Sequence, residues 1–401
     1  MPVFSPQVVS PQLKRGRATR TPILIAHATF VPTGLVTVLL GPLLPTLATQ
    51  WSLNDAQAGS LVTAQFLGAL LSTLSTGAFL PRWGFRRTVS IGLFLMAAGV
   101  AMLTAGPFAV GLGAVFCYGM GIGLTIPSTN LMVAQASPEN RSSALNLLNF
   151  SWSAGAVACP FLLAAFQRVR GSNLFLHLVS AVLMAVIVLV FALPSNLPEP
   201  ERKQTAGVKL PWLQSLSTPL AIVIGALFFT YVGTESTLGA WLAYFAKRTS
   251  HESGFIWMTV PSYFYGALLL GRALAPVSLR LMPDRTQTVL GALLSLASTG
   301  ALLLSRSVAA IAVCAFLAGF GLSTLYPITI GFLSRFGETA ARVGGFMFAL
   351  SSVGGATLPW ILGFTSTQLG SLRTALLVPL AGCLAMLLLF SNPRLREPNS
   401  I

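Results

Sequence analysis

The chain has 401 residues, a formal charge of +15 and a composition that is 54% hydrophobic but only 8% charged. An ordinary soluble domain carries about 25% charged residues, so one water-soluble core is excluded and the chain reads as an integral membrane protein. The excess of basic residues would suit nucleic acid only if they clustered on one surface, and their distribution along the chain excludes that reading.

In chain order, apolar stretches of the ~20 residues needed to cross a bilayer as a helix fall at 22–48, 54–80, 86–105, 107–134, 141–166, 172–193, 217–246, 251–279, 285–304, 307–333, 339–368 and 370–390. Barrel strands need only about ten alternating residues, and runs such as "SAVLMAVIVLVFAL" do not alternate. The fold expected is an all-α membrane protein of twelve transmembrane helices. The first stretch is too long for a signal-peptide core and reads as a retained helix. "PSNLPEPERKQTAGVKLPW" divides the spans six and six. The organisation expected is therefore a tail at 1–21, a six-helix bundle at 22–193, a linker at 194–216, a second bundle at 217–390 and a tail at 391–401. With the N-terminus in the cytoplasm, Arg168, Arg170, Lys247, Arg248, Arg306 and Arg373 lie outside, Arg272 lies within a span, and the other seventeen of the 24 basic residues lie inside. That is the positive-inside pattern, so the charge reports topology beside a lipid bilayer, and no nucleic-acid partner is expected. Cys117, Cys159, Cys314 and Cys383 all fall within spans, where packing is the expected role rather than disulfides or a structural metal.

The halves repeat at an offset of about 200 residues. "FLGALLSTLSTGAFLPRWGFRR" aligns with "FYGALLLGRALAPVSLRLMPDR", "GIGLTIP" from Gly121 with "GFGLSTLYP" from Gly319, and "SAGAVACP" ending at Pro160 with "SVGGATLP" ending at Pro359. Two pseudo-symmetric six-helix bundles with a site between them is a transporter architecture. "GAFLPRWGFRR" resembles the G-x-x-x-D-R-x-G-R-R motif of the major facilitator superfamily, with Gly77, Arg82, Gly84, Arg86 and Arg87 in place and Pro81 where the family has Asp. The resemblance implies the major facilitator fold and a gating role for those five residues, with topology alone as the rival role. "PENRSSALNLLN" and "YVGTESTLGAWL" are similar to the fucose and glucose cation symporter branch. Members of that branch often carry a further acid in helix one or four, and this chain has none there.

The polar candidates follow in chain order. His27 lies about five residues into the first span and reads as a packing or interface residue. Gln65 in span two and Asn130 in span four can line a cavity. Asn146, Asn149 and Trp152 share roughly one face of span five, where amides suit sugar hydroxyls and an indole suits the apolar side of a ring, while bridging to a neighbouring helix is the rival role. In span seven Tyr231 and Trp241 flank Glu235, which among nine acids stands alone near the middle of an apolar span. An ionised carboxylate there costs at least ~2.5 kcal/mol, so Glu235 should face the cavity and suits a proton carrier, charged when open to one side and neutral while the halves rock. The alternative is a protonated Glu satisfied by neighbouring Tyr, Ser or backbone. Span eight holds Tyr263, Tyr265 and Arg272; Arg272 can pair with Glu235, bind an anion, or reach the cytoplasmic interface and brace a gate, the last being the favoured reading. Tyr326 in span ten completes the set.

The expectation is a monomeric, non-enzymatic secondary transporter of a bacterial inner membrane with both termini cytoplasmic. It would move a sugar or similar small-molecule substrate by alternating access, with a proton or, as the weaker choice, sodium. No cofactor is expected, since no phosphate loop or metal motif is present. The rivals are a proton-coupled efflux antiporter for hydrophobic or cationic compounds and a membrane sensor that no longer transports.

Overall fold

The computed structural model describes residues 20–193, 197, 216–250 and 254–395. Nearly all of the expected tail at 1–21 and linker at 194–216 lies outside these residues, as does 396–401 of the C-terminal tail.

The first span is α1 (Arg20–Val38) followed by α2 (Leu40–Gln50). The break has a local cause, because Pro42 has no N–H for the Val38 carbonyl and its ring crowds that turn. Next comes α3 (Asp55–Met102), 48 residues of helical hydrogen bonding interrupted at Gly84, whose φ of 70° and ψ of 171° are not helical. At 1.5 Å per residue it would run to about 70 Å, against a hydrocarbon core of about 30 Å; it is therefore the second and third spans joined at Gly84, where glycine tolerates the positive φ. The N-terminal half ends with α4 (Phe108–Ala136), α5 (Arg141–Val169) and α6 (Ser172–Ala192).

The C-terminal half holds α7 (Pro219–Thr249), α8 (Val260–Leu281), α9 (Asp284–Leu302), a tenth span made of α10 (Val308–Leu322) and α11 (Leu325–Gly331), α12 (Ala340–Leu369), and a twelfth span made of α13 (Leu372–Ala375) and α14 (Leu377–Phe390). Pro327 accounts for the break in the tenth span as Pro42 does in the first. Span eight starts later than the sequence suggests: 251–253 lie outside the described residues, a 3-10 turn occupies Ile256–Thr259, and the α-helix begins at Val260. Nine described helices qualify as spans by length and hydropathy. Counting α3 twice and adding α8 and α9, whose charged residues lower their hydropathy, gives twelve.

Packing follows the repeat. Span one lies against five as seven lies against eleven, two against four as eight against ten, and three against six as nine against twelve. Glycines let backbones meet at these crossings, as in other membrane bundles: a Cβ on Gly155 would collide with the Val31 carbonyl, and one on Gly354 with the Phe229 carbonyl. The halves join by span two against eleven and span five against eight. There Thr63 donates to the Ala356 carbonyl at 2.6 Å and Ser262 to the Val157 carbonyl at 2.8 Å. Each accepting carbonyl is the one that follows Gly355 or Ala156, whose own N–H partner is removed by Pro359 or Pro160. Ser262 follows Thr63 by 199 residues and Ala356 follows Val157 by 199 (262 − 63 and 356 − 157), so the two bonds are related by the repeat.

Candidate functional site

The face on which α1 begins and α14 ends is called the terminal face here, and the opposite one the distal face. The halves meet on the distal side. Arg248, in the last turn of α7, donates to both carboxylate oxygens of Asp55, in the first turn of α3, at 2.7 and 2.6 Å. It also donates to the Tyr244 hydroxyl at 2.7 Å and lies over that ring at 4.3 Å. Ser366 of α12 donates to Asp55 at 2.5 Å, and Thr367 accepts from the Ala56 amide at 2.9 Å. Asp55 is placed by a capping box in which Asn54 accepts from the Gln57 amide and Gln57 accepts from the Asn54 amide. Lys247 adds a bond to the Pro45 carbonyl of α2.

Contact fades toward the terminal face. Along the pair formed by spans two and eleven, Gly59 packs on Trp360 and Gly355 on Phe66, whereas a Cβ on Gly77 or Gly345, nearer the terminal ends, would meet nothing within 4 Å. Leu74 and Leu147, near the same ends of spans two and five, are 62% and 58% exposed.

Between these ends lies Glu235, sixteen residues after Pro219 in the 31-residue α7. That helix starts cleanly because Pro219 sits in its first turn and Thr218 accepts from the Ala221 amide. One turn before Glu235 stands Tyr231, stacked on Tyr326 of α11 with centroids 4.9 Å apart and planes 20° apart. From α8, Arg272 approaches Glu235 at 3.8 Å, with 29% of the Arg and 18% of the Glu side chain exposed. Arg272 therefore turns inward to α7 rather than toward the interface, which the sequence reading favoured. Tyr265, seven residues before Arg272 and so on the same face of α8, brings its hydroxyl to the backbone of Gly239. Tyr231 Oη and Arg272 Nε are buried without a hydrogen-bond partner.

The N-terminal half contributes a second polar cluster. Gln65 donates to the Thr37 carbonyl at 2.9 Å and accepts from Tyr118 at 3.1 Å, and Trp152 Nε1 reaches Thr37 Oγ1 at 3.4 Å. Gly41 of α2 packs on the Gly239 backbone of α7. Thr37 and Glu235 each precede that contact by four residues, about one turn, so both clusters sit at one depth.

The remaining candidates scatter. Asn130 and Asn149 bond to carbonyls of their own helices, Ile126 and Leu145, and Asn146 and Asn149 are exposed toward the terminal end of α5. Tyr263 lies three residues into α8, toward the distal face, edge-on to Phe161 of the other half at 5.8 Å. Trp241 donates to the Pro359 carbonyl, and His27 shares a 2.7 Å bond with Ser151. Of the motif after span two, Arg86 donates to the Leu193 carbonyl at 3.0 Å and lies over Phe191, tying span three to span six, while Arg82 and Arg87 are exposed. The Asp55–Arg248 pair escaped sequence reading because each residue alone looks like a solvated helix end; that both ends lie on one face was the available clue.

A bundle of two six-helix halves meeting over a charged, aromatic cleft defines a membrane transporter rather than an enzyme. Residues 27–359 match the Major Facilitator Superfamily, and the chain belongs to that family. It is 26% identical over 379 residues to the glucose/galactose transporter of Brucella abortus, covering 86% of this chain and 88% of that one. It is 25% identical over 393 residues to the 4-hydroxybenzoate transporter PcaK of Pseudomonas putida, covering 87% of each. Among solved structures, the nucleoside transporter NupG superposes with a TM-score of 0.79 at 12% identity, over 94% of this chain and 100% of that one, and the E. coli fucose:proton symporter FucP with 0.63 at 17%, over 95% and 100%.

Proposed function

We propose that the protein is a proton-coupled symporter that takes up a sugar or similar small polar solute by alternating access, with the termini cytoplasmic. The observation that carries this reading is the Glu235 carboxylate, half-buried in the middle of the bundle, beside a single cation at 3.8 Å and ringed by Tyr231, Tyr326 and Tyr265. A carboxylate in that place has two states of different cost: ionised, it needs water or the Arg272 charge, and protonated, it can pass through a closed, apolar cleft. Loading a proton from one side and a solute beside it lets the loaded carrier change conformation with no ionised protein carboxylate in the cleft. The distal contacts of Asp55, Arg248 and Ser366 serve as the outer gate, and the separation at the terminal face is the cytoplasmic opening. Gln65, Trp152 and Thr37 form the opposite wall, and Asn130, Asn146 and Asn149 line the route to the cytoplasm. The positive-inside count supports this orientation, and the glucose/galactose relative supports a sugar-sized solute. None of these relatives speaks for efflux.

The test is uptake into proteoliposomes across a panel of sugars and ring-shaped acids, with an imposed proton gradient, a sodium gradient, or neither. Accumulation above the outside concentration under the proton gradient alone is the expected result. Accumulation that follows sodium, or none with any gradient, removes the proton coupling.

A further inference from the structure

The molecule contains two Arg–carboxylate contacts between described residues, and they differ in kind. Arg248 is committed: its fork engages both oxygens of Asp55 at 2.6 and 2.7 Å, the bidentate geometry in which a guanidinium is strongest. Arg272 is not. It meets one oxygen of Glu235 at 3.8 Å, beyond hydrogen-bond length, its Nε is buried without a partner, and 29% of the side chain stays open. A guanidinium has five N–H donors and cannot shed its charge, so a site that keeps one deep in a membrane bundle is short of acceptors. The groups around it relieve this only in part: the Tyr231 hydroxyl lies beside both Arg272 and Glu235 and makes no well-formed hydrogen bond, and a phenol offers an uncharged oxygen where a guanidinium fork suits a carboxylate. Glu235 is the one carboxylate among the described residues of this cleft. The walls are aromatic: Tyr231 is buried under Tyr326, which leaves half-buried Tyr326 and half-buried Tyr265 as the surfaces a ring can lie against.

We propose, building on the transport reading above, that the solute carries a carboxylate on a ring body and that Arg272 is the residue that binds it. The guanidinium takes the carboxylate in the two-point geometry that it does not make with Glu235, and the ring lies along Tyr326 and Tyr265. Glu235 is then a competitor for Arg272 as well as the proton carrier. When Glu235 holds its proton the fork is released to the incoming anion, so proton and anion load together as a neutral pair and the cleft never holds two carboxylates against one cation. This gives the coupling a structural cause, namely two acids sharing one base.

The experiment uses the purified full-length protein at one fixed pH and measures binding of matched probes: glucuronate against glucuronamide, and benzoate against benzamide. Each pair differs only in the charge and acceptor capacity at the group facing Arg272. The acid of at least one pair should bind about tenfold or more tightly than its amide, as expected for one charge-assisted two-point contact. Arg272→Gln should erase that preference, and Arg272→Lys, which keeps the charge but loses the fork, should keep part of it. Glu235→Gln should leave acid binding intact or tighten it, the opposite of what a carboxylate accepting from sugar hydroxyls would do. If Arg272→Gln does not yield folded protein, the acid-to-amide ratio in the unsubstituted chain and in Arg272→Lys decides. Amides binding as well as acids, acid binding indifferent to Arg272, or no binding by either acid at millimolar concentration overturns the proposal. The flux assay separates the two readings: glucose accumulating on a proton gradient while no acid binds leaves the symporter standing without this inference, whereas acids that bind but never accumulate do the reverse.

Discussion

Glycine positions carry much of the helix crossing in this molecule, and their neighbours grade them. Gly34 faces the Trp152 carbonyl and Gly155 the Val31 carbonyl so closely that a methyl group has nowhere to go, because the obstructing atoms are backbone. Gly34→Ala or Gly155→Ala should therefore separate span one from span five at a cost of about 1–3 kcal/mol, the range for overpacking. Gly77→Ala, with nothing within 4 Å, should stay within about 0.5 kcal/mol. Thermal unfolding in detergent reads the contrast, and an unchanged midpoint for the Gly34 and Gly155 variants would contradict the packing described. At this scale Glu235 was legible from sequence because a lone acid in an apolar run is costly and therefore conspicuous. The direction of Arg272 was not, since its side chain is long enough to reach either the interface or α7 and only the placement of Tyr231 and Glu235 on the neighbouring helix decides.

At the scale of elements, the ends of α3, α7 and α12 act as one latch. Arg248 is partly exposed and Asp55 is buried, so the pair falls between the ~1 kcal/mol of an exposed ion pair and the ~3–5 kcal/mol lost when one partner of a buried pair is removed. Asp55→Asn or Arg248→Met should shift the population toward a parted distal face by several fold. Spin labels at Ala105 and Leu304, one on each half at that face, should report longer distances in either variant, and a distribution identical to the parent would show that the latch carries no gating energy. The span boundaries were largely legible, because a bilayer imposes a minimum apolar length on any helix that crosses it. The interruptions in spans one and ten carry their own marks in Pro42 and Pro327. The latch was not legible: its partners lie 193 residues apart along the chain, and charged residues at helix ends ordinarily face water.

For the whole molecule, the repeat was the most informative feature of the sequence, and the matched bonds of Thr63 to Ala356 and Ser262 to Val157 show it acting in three dimensions. What the repeat leaves open is which face of the bundle is parted, since two related halves can rock either way and the choice rests on contacts present at one end only. The basic residues predict the orientation: a green fluorescent protein fused to the C-terminus should fluoresce in a bacterial host, as it does only in the cytoplasm, and a dark but fully expressed fusion would invert the topology. The candidate site is asymmetric between the halves, because Glu235 corresponds by the 199-residue offset of the matched bonds to Val36 (235 − 199) and the charged cluster belongs to the C-terminal half alone. The most direct test is accumulation into proteoliposomes under an imposed proton gradient, comparing the unsubstituted protein with Glu235→Gln. Loss of accumulation with downhill exchange retained is the predicted result, and a variant that concentrates solute as well as its parent would contradict the assignment of Glu235 as the proton carrier.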